Sequence, residues 1–162
     1  MVFDDIVGQD KVVRTLLDIV ESGRIGHAYL FVGAEGIGRK SIAKRFSQLV
    51  MCMGESSDRG EICGVCTSCK LHKSDTNPDY HVISEPEGKN TISIDAIREI
   101  QESMTRAPIY GRRSFYVINN AEKMTVQAQN ALLKTLEEPP EYVVLVLVCQ
   151  NVNQLLETVK SR

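Results

Sequence analysis

Apolar residues along the chain fall into two patterns. Ala28–Val32, Ser114–Ile118 and Val143–Val148 are short apolar runs that predict buried strands, and Tyr80–Ile83 reads as a further strand. Val143–Val148 is an unbroken Val/Leu run, which predicts a central strand covered on both faces. Between these runs, apolar residues recur at helical spacing. With Asp10 as N-cap, Val12, Val13, Leu16, Leu17, Ile19 and Val20 give a first helix its apolar face, and Gly23 stops it. A second helix is expected over Arg39 to Met51, with Ile42, Phe46, Leu49 and Val50 inward. A third is expected over Ile94 to Thr105, with Ile94, Ile97, Ile100, Gln101 and Met104 along one side, broken by Pro108 and Gly111. A fourth is expected over Thr125 to Glu137, carrying Ala128, Ala131, Leu132 and Leu136, with Pro139-Pro140 ending it. Strands alternating with helices predict an α/β fold with a parallel sheet and right-handed crossovers.

The first strand runs into Gly33-Ala34-Glu35-Gly36-Ile37-Gly38, and then Arg39-Lys40-Ser41 opens a helix. A strand, a glycine-rich loop and a helix form the setting of a phosphate-binding loop. Glycines let backbone N–H groups curl around a phosphate, and the helix N-terminus adds partial positive charge. The loop departs from the Walker pattern in its last two positions. Counted from Gly33, the lysine slot holds Arg39 and the hydroxyl slot holds Lys40. Lys40-Ser41 would restore the pair only if Arg39 were inserted, and an insertion turns the helix by about 100° and re-aims both side chains. The expectation is a P-loop fold with impaired nucleotide chemistry. ATP or ADP binding stays open, and the plainer alternative is a glycine-rich turn with no ligand.

A P-loop ATPase also needs an apolar strand ending in Asp and then Glu, to help hold Mg²⁺ and to polarise water. Phe115-Tyr116-Val117-Ile118 is in the right place but ends in Asn119-Asn120. Asparagine is neutral and cannot take the water's proton. Glu122 is expected to be solvated at the start of the next helix. Both loops therefore point away from ATP hydrolysis by this domain.

The net charge of −2 speaks against a stand-alone nucleic-acid binder. No apolar run approaches membrane-spanning length and the N-terminus lacks a secretory pattern, so a cytoplasmic protein with no membrane partner is expected. In that compartment five cysteines read as metal ligands or core thiols. Cys52, Cys63, Cys66 and Cys69 have the spacing Cys-x10-Cys-x2-Cys-x2-Cys, and Gly60 and Gly64 supply bends. Thiolates so spaced can wrap one tetrahedral ion, and structural zinc is the favoured reading. An iron–sulfur cluster is the main alternative. His72 continues the spacing and is the runner-up fourth ligand if Cys52 stays in its helix. A zinc-dependent nucleic-acid module is weaker still, because no aromatic and basic residues interleave around the cysteines. Segment 52–78 reads as the one insertion, and Cys149 as a core thiol.

Together these pieces resemble the bacterial clamp-loader family of AAA+ proteins, over nearly the whole chain. The resemblance rests on Val7-Gly8-Gln9, His27-Ala28-Tyr29-Leu30-Phe31, the four-cysteine insertion and Thr158-Val159-Lys160-Ser161-Arg162. Its most specific part is Gln129-Asn130-Ala131-Leu132-Leu133-Lys134-Thr135-Leu136-Glu137-Glu138-Pro139-Pro140. It implies a three-layer, RecA-like AAA+ domain over residues 1–162, cut before lid and collar domains; the abrupt end at Arg162 suggests the same. Within the family, Arg39, Lys40, Asn119 and Asn120 are similar to the delta-prime branch of DNA polymerase III subunits. The ATP-hydrolysing gamma/tau branch, the alternative reading, keeps Lys, Thr, Asp and Glu there. The resemblance implies a non-hydrolysing member of the pentamer that opens the sliding clamp and places it on primed DNA, with gamma/tau and delta subunits as partners. Ser161-Arg162 match the family's Ser-Arg-Cys motif, which makes Arg162 the implied arginine finger, acting in trans on a neighbour's ATP.

Overall fold

The computed structural model describes residues 2–162. Four parallel strands form one sheet: β1 (Ala28–Val32), β2 (Tyr80–Ile83), β3 (Ser114–Ile118) and β4 (Val143–Cys149), in the order β1-β4-β3-β2. Among the described residues, six α-helices accompany it: α1 (Asp10–Glu21), α2 (Arg39–Met51), α3 (Thr67–Lys73), α4 (Ile94–Ser103), α5 (Val126–Glu137) and α6 (Glu157–Lys160). Among the described residues, no helix is long and apolar enough to cross a membrane.

Every residue of β3 and β4 is buried. Because side chains alternate across a strand, this sheet has two cores. Phe115, Val117, Val144, Val146 and Val148 pack with Leu16, Val20, Ile42, Phe46 and Leu49 of α1 and α2. Tyr116, Ile118, Leu145, Leu147 and Cys149 pack with Ile97, Ile100, Leu132 and Leu136 of α4 and α5. The result is the expected three-layer arrangement, and Cys149, with no exposed surface, is the core thiol that its place in the sequence implied.

Three details differ from expectation. β1 is an edge strand among the described residues, so Leu30 and Val32 remain 36% and 47% exposed instead of buried. Asp10 is the first residue of α1 and Gln9 takes the cap position without a side-chain bond. An acid in a first turn still favours the helix through its dipole. Thr125 lies just outside α5 and caps it, accepting from the Ala128 N–H at 3.1 Å; Ser93 caps α4 in the same way from Ala96. The pattern also gave no sign of Asp79. Its buried carboxylate accepts the N–H groups of both Ile109 and Tyr110 at 2.7 Å and fixes the loop that feeds β3.

Phe46 is the anchor of α2. It is fully buried against the rings of Tyr29, Phe31 and Phe115, with centroids 5.1, 6.4 and 5.7 Å away. Phe46→Ala should cost about 3–5 kcal/mol, since such truncations leave a cavity as well as losing transfer energy. Urea denaturation at constant zinc measures this, and a loss below about 1 kcal/mol would mean that α2 is held elsewhere.

Candidate phosphate loop and metal centre

The glycine loop adopts a conformation that only its glycines allow. Gly36 and Gly38 have φ of +83° and +88°. A Cβ on Gly33 would lie 2.2 Å from Cδ1 of Ile37, so the loop closes on itself there. Gly38 is the residue before α2, and Ile42 N–H closes the first turn on its carbonyl at 2.8 Å. Arg39 is therefore the first helical residue, and no residue is looped out ahead of it. Its side chain folds inward and is 8% exposed, with Nη1 buried and unpaired within the protein. Lys40 and Ser41 are exposed.

Facing the loop are the ends of β3 and β4. A cleft of about 540 Å³ lies between Gly36, Gly38, Arg39, Lys40 and Ser41 on one side and Asn120, Lys123 and Gln150 on the other. Asn119 continues the ladder through its N–H to the Ile83 carbonyl, but its Oδ1 is buried without a partner. Asn120 takes a left-handed turn at φ +51° and gives its amide to both Glu85 oxygens at 3.1 Å. Lys123 ion-pairs with the same carboxylate. The Lys123 hydrogen bond, and then that of Asn120, hold the Glu85 carboxyl down at about 2.

Glu122 corrects an expectation. It belongs to a short 3-10 turn, Ala121–Lys123, ahead of α5 rather than at its start. Its side chain turns back to the sheet: Oε1 accepts the Gln150 N–H at 3.1 Å and Oε2 is buried and unpaired. Burial first, and then this carboxylate, push the Cys149 thiol up. An acid is therefore present at the strand ends, two residues beyond the place that the Walker order assigns.

The four cysteines converge. Their sulfurs lie within 4.8 Å of one another, and Cys63 Sγ and Cys69 Sγ are 3.9 Å apart. A tetrahedral ion with Zn–S bonds of about 2.3 Å sets sulfur separations near 3.8 Å. The donor set thus fits one such ion and is too tight to enclose a cluster of several irons. Backbone N–H groups point at three of the sulfurs. Gly54 and Cys63 donate to Cys52 Sγ, Cys66 to Cys63 Sγ and Cys69 to Cys66 Sγ, at 3.3–3.4 Å. Such bonds favour thiolates, and those from Cys66 and Val65 draw the Cys63 thiol down to about 6. Burial pushes the Cys52 and Cys69 thiols the other way, so a full set of thiolates calls for a cation. Gly60 and Gly64 provide the bends, with φ of +74° and +70°. Gly54 escaped the sequence reading; a Cβ there would meet Cys63 Cβ at 2.5 Å. His72 is not brought into the set, because both of its ring nitrogens are engaged elsewhere: Nε2 with Ser47 Oγ and Nδ1 with Asn77 Nδ2, each at 3.0 Å.

Ser161 and Arg162 follow α6. Arg162 contacts the Glu137 carboxylate through Nε and Nη2 at 3.1 and 2.8 Å, both side chains being about half exposed. Neither residue lines the glycine-loop cleft.

A parallel sheet ordered β1-β4-β3-β2, with a glycine loop after β1 and the ends of β3 and β4 across a cleft from it, defines a P-loop NTPase domain of the AAA+ kind. Residues 8–162 match the family model described as DNA polymerase III, delta subunit. The chain is 36% identical to the delta-prime subunit of Pseudomonas aeruginosa over 136 residues, 84% of this chain and 41% of that protein. It is 34% identical to the tau subunit of Bacillus subtilis over 160 residues, 99% of this chain and 28% of that protein. A crystal structure of a gamma subunit-related protein from Thermotoga maritima superposes with a TM-score of 0.61 at 31% identity, covering 93% of this chain and 43% of that one. The RuvB motor of the same organism shares the fold, with a TM-score of 0.57 at 17% identity. The chain belongs to the clamp-loader family of DNA polymerase III subunits, and it spans less than half the length of these relatives.

Two outcomes follow from this geometry. Protein purified without chelator should carry one zinc per chain, and stripping it should loosen segment 52–78 while β3 and β4 stay protected. Elemental analysis finding iron, or no metal, would refute the assignment. Glu85 should titrate near 2 instead of at its ordinary 4.5. Its folded-state value is the lower one, so its contribution is complete above about 4.5 and lost as pH falls through about 2. Carboxyl NMR reads this midpoint directly, and a value above 4 would mean that the Asn120–Glu85–Lys123 contacts are not held in solution.

Proposed function

We propose that this chain is the P-loop domain of a delta-prime-type clamp-loader subunit, one that helps load the sliding clamp onto primed DNA without hydrolysing ATP itself. The observation that carries the reading is the end of β3, where Asn120 is committed to Glu85 and Asn119 offers a neutral amide. Neither supplies a carboxylate for Mg²⁺ or a base for water. The inward, unpaired Arg39 supports it further, because a guanidinium fills the slot where a P-loop lysine reaches the phosphates. Glu122 is an acid nearby, but one of its oxygens is already spent on the Gln150 N–H. Cys52, Cys63, Cys66 and Cys69 would hold a structural zinc, which when bound supplies charge neutralisation and a cross-link. Partners on this reading are gamma/tau and delta subunits and the clamp, and the setting is the cytoplasm.

The test is steady-state phosphate release by the full-length protein alone, with Mg²⁺ and ATP. No turnover above background is expected. Hydrolysis abolished by Arg39→Ala would favour the gamma/tau reading instead.

Arg162 is the proposed finger. A guanidinium is planar and always charged, so it can fork onto a γ-phosphate as charge shifts. On this reading it exchanges Glu137 for a neighbour's nucleotide. In the assembled loader, Arg162→Ala should slow hydrolysis at the one neighbouring site it serves by about 10³-fold or more and so depress the total ATPase, with zinc content unchanged, and Arg162→Lys should rescue poorly. An unmodified rate in the Arg162→Ala loader would make it an ordinary surface residue.

A further inference from the structure

Besides a surface ion pair, the inserted segment is fastened to the phosphate-loop helix at two points. The first is the chain itself, since Cys52 is the C-cap residue of α2. The second is a buried polar chain centred on His72, which is 2% exposed. Ser47 of α2 spends its hydroxyl hydrogen on the Lys44 carbonyl at 2.7 Å. Its oxygen is then free only to accept, so the hydrogen of the contact with His72 must sit on Nε2. Nδ1 is left as an acceptor, and Asn77 Nδ2 donates to it at 3.0 Å. The other amide hydrogen of Asn77 faces Ser68 Oγ at 3.2 Å, and its Oδ1 accepts the Asp79 N–H at 3.0 Å. The imidazole N–H of His72 and both amide hydrogens of Asn77 each face an acceptor. Ser47, Ser68, Asn77 and Asp79 are all buried, and the His72 ring packs on Tyr80 with centroids 4.7 Å apart. On the rim, Lys44 pairs with Asp75.

Helix α3 has seven residues, too few to hold its shape alone. Cys66 caps its N-terminus, Cys69 lies in its first turn and His72 one turn further on. One end is thus held by the thiolate centre and the other by Ser47. We propose that His72 is a positioning residue, a latch that makes the metal centre and α2 one mechanical unit, so that gain or loss of the ion is felt along the phosphate-loop helix. The proposal rests on the zinc assignment above. Two restraints on one short helix reinforce each other: the ion keeps His72 facing Ser47, and the Ser47 contact keeps Cys66 and Cys69 beside Cys52. Breaking either leaves buried polar groups unpaired or thiolates adrift.

The test uses the zinc-loaded full-length protein, followed by hydrogen exchange of peptides covering 40–51 and by zinc release to a chromogenic chelator. Stripping zinc should speed exchange in 40–51 by about tenfold or more, while β3 and β4 keep their protection. Ser47→Ala leaves all four thiolates and the apolar cores in place. It should speed zinc release by about tenfold, the effect of one buried hydrogen bond lost. Ser47→Ala combined with His72→Ala should release zinc no faster than His72→Ala alone, because both remove the same contact. His72→Gln, whose amide can still donate to Ser47, should fall between His72→Ala and the unmodified protein. If His72→Ala fails to fold, Ser47→Ala and His72→Gln carry the test. Unmodified release in Ser47→Ala, or zinc loss that leaves 40–51 unchanged, overturns the latch while the zinc assignment stands. Protein without zinc overturns both.

Discussion

Strands β3 and β4 are apolar on both faces, and the rest of the structure follows from having to cover them twice. One layer of helices cannot do it. The crossover from β1 to β2 places α2 on one face, and the crossovers from β2 to β3 and β3 to β4 place α4 and α5 on the other. The direction of winding therefore reverses between β1 and β4. Loops leaving adjacent strand ends part company there and open a cleft at the carboxyl edge of the sheet. Gly36, Gly38 and Arg39 meet Asn120 and Gln150 in that cleft because of where the sheet reverses.

Helix α2 connects the glycine loop to the four-cysteine segment. Its first residue, Arg39, closes the glycine loop, Phe46 seats it on the sheet, Ser47 faces the inserted segment and Cys52 ends it. Neighbouring residues of a helix point about 100° apart, so Phe46 and Ser47 serve different partners from adjacent positions. The chemistry at the two ends also differs in kind. At the metal end, four sulfurs and their N–H donors form a set that one cation completes. At the loop end, Arg39 Nη1, Asn119 Oδ1 and Glu122 Oε2 are buried without partners in the protein. The β3 end carries two asparagines, Asn119 and Asn120, on the same frame of strand ends and glycine loop.

Much of this was legible in the sequence. Apolar runs located all four strands, and Gly23, Pro139 and the loop glycines marked helix boundaries, because such residues encode local backbone geometry, whereas the caps Ser93 and Thr125 emerged only from the structure. The Cys-x2-Cys spacing brings the four cysteine sulfurs together for the same local reason. What stayed hidden depends on contacts distant in sequence. Glu122 lies in a polar stretch that reads as solvated, yet it folds back onto Gln150, 28 residues away. His72 shares the cysteine rhythm but is claimed by Ser47, 25 residues earlier. Asp79 looks like any loop acid until Ile109 and Tyr110 are seen to donate to it. The exposure of β1 could not be read from Ala28–Val32 alone, since an apolar run does not say how many strands flank it.

The proposed role of this P-loop frame is that of an assembly part within a clamp loader. Native mass spectrometry of the full-length protein mixed with gamma/tau and delta subunits and the clamp addresses it directly. The protein should enter a complex containing gamma/tau and delta subunits, with the zinc mass retained and no dependence on nucleotide bound to this subunit. Self-association into rings of this protein alone, or failure to enter the complex with its zinc intact, would contradict it.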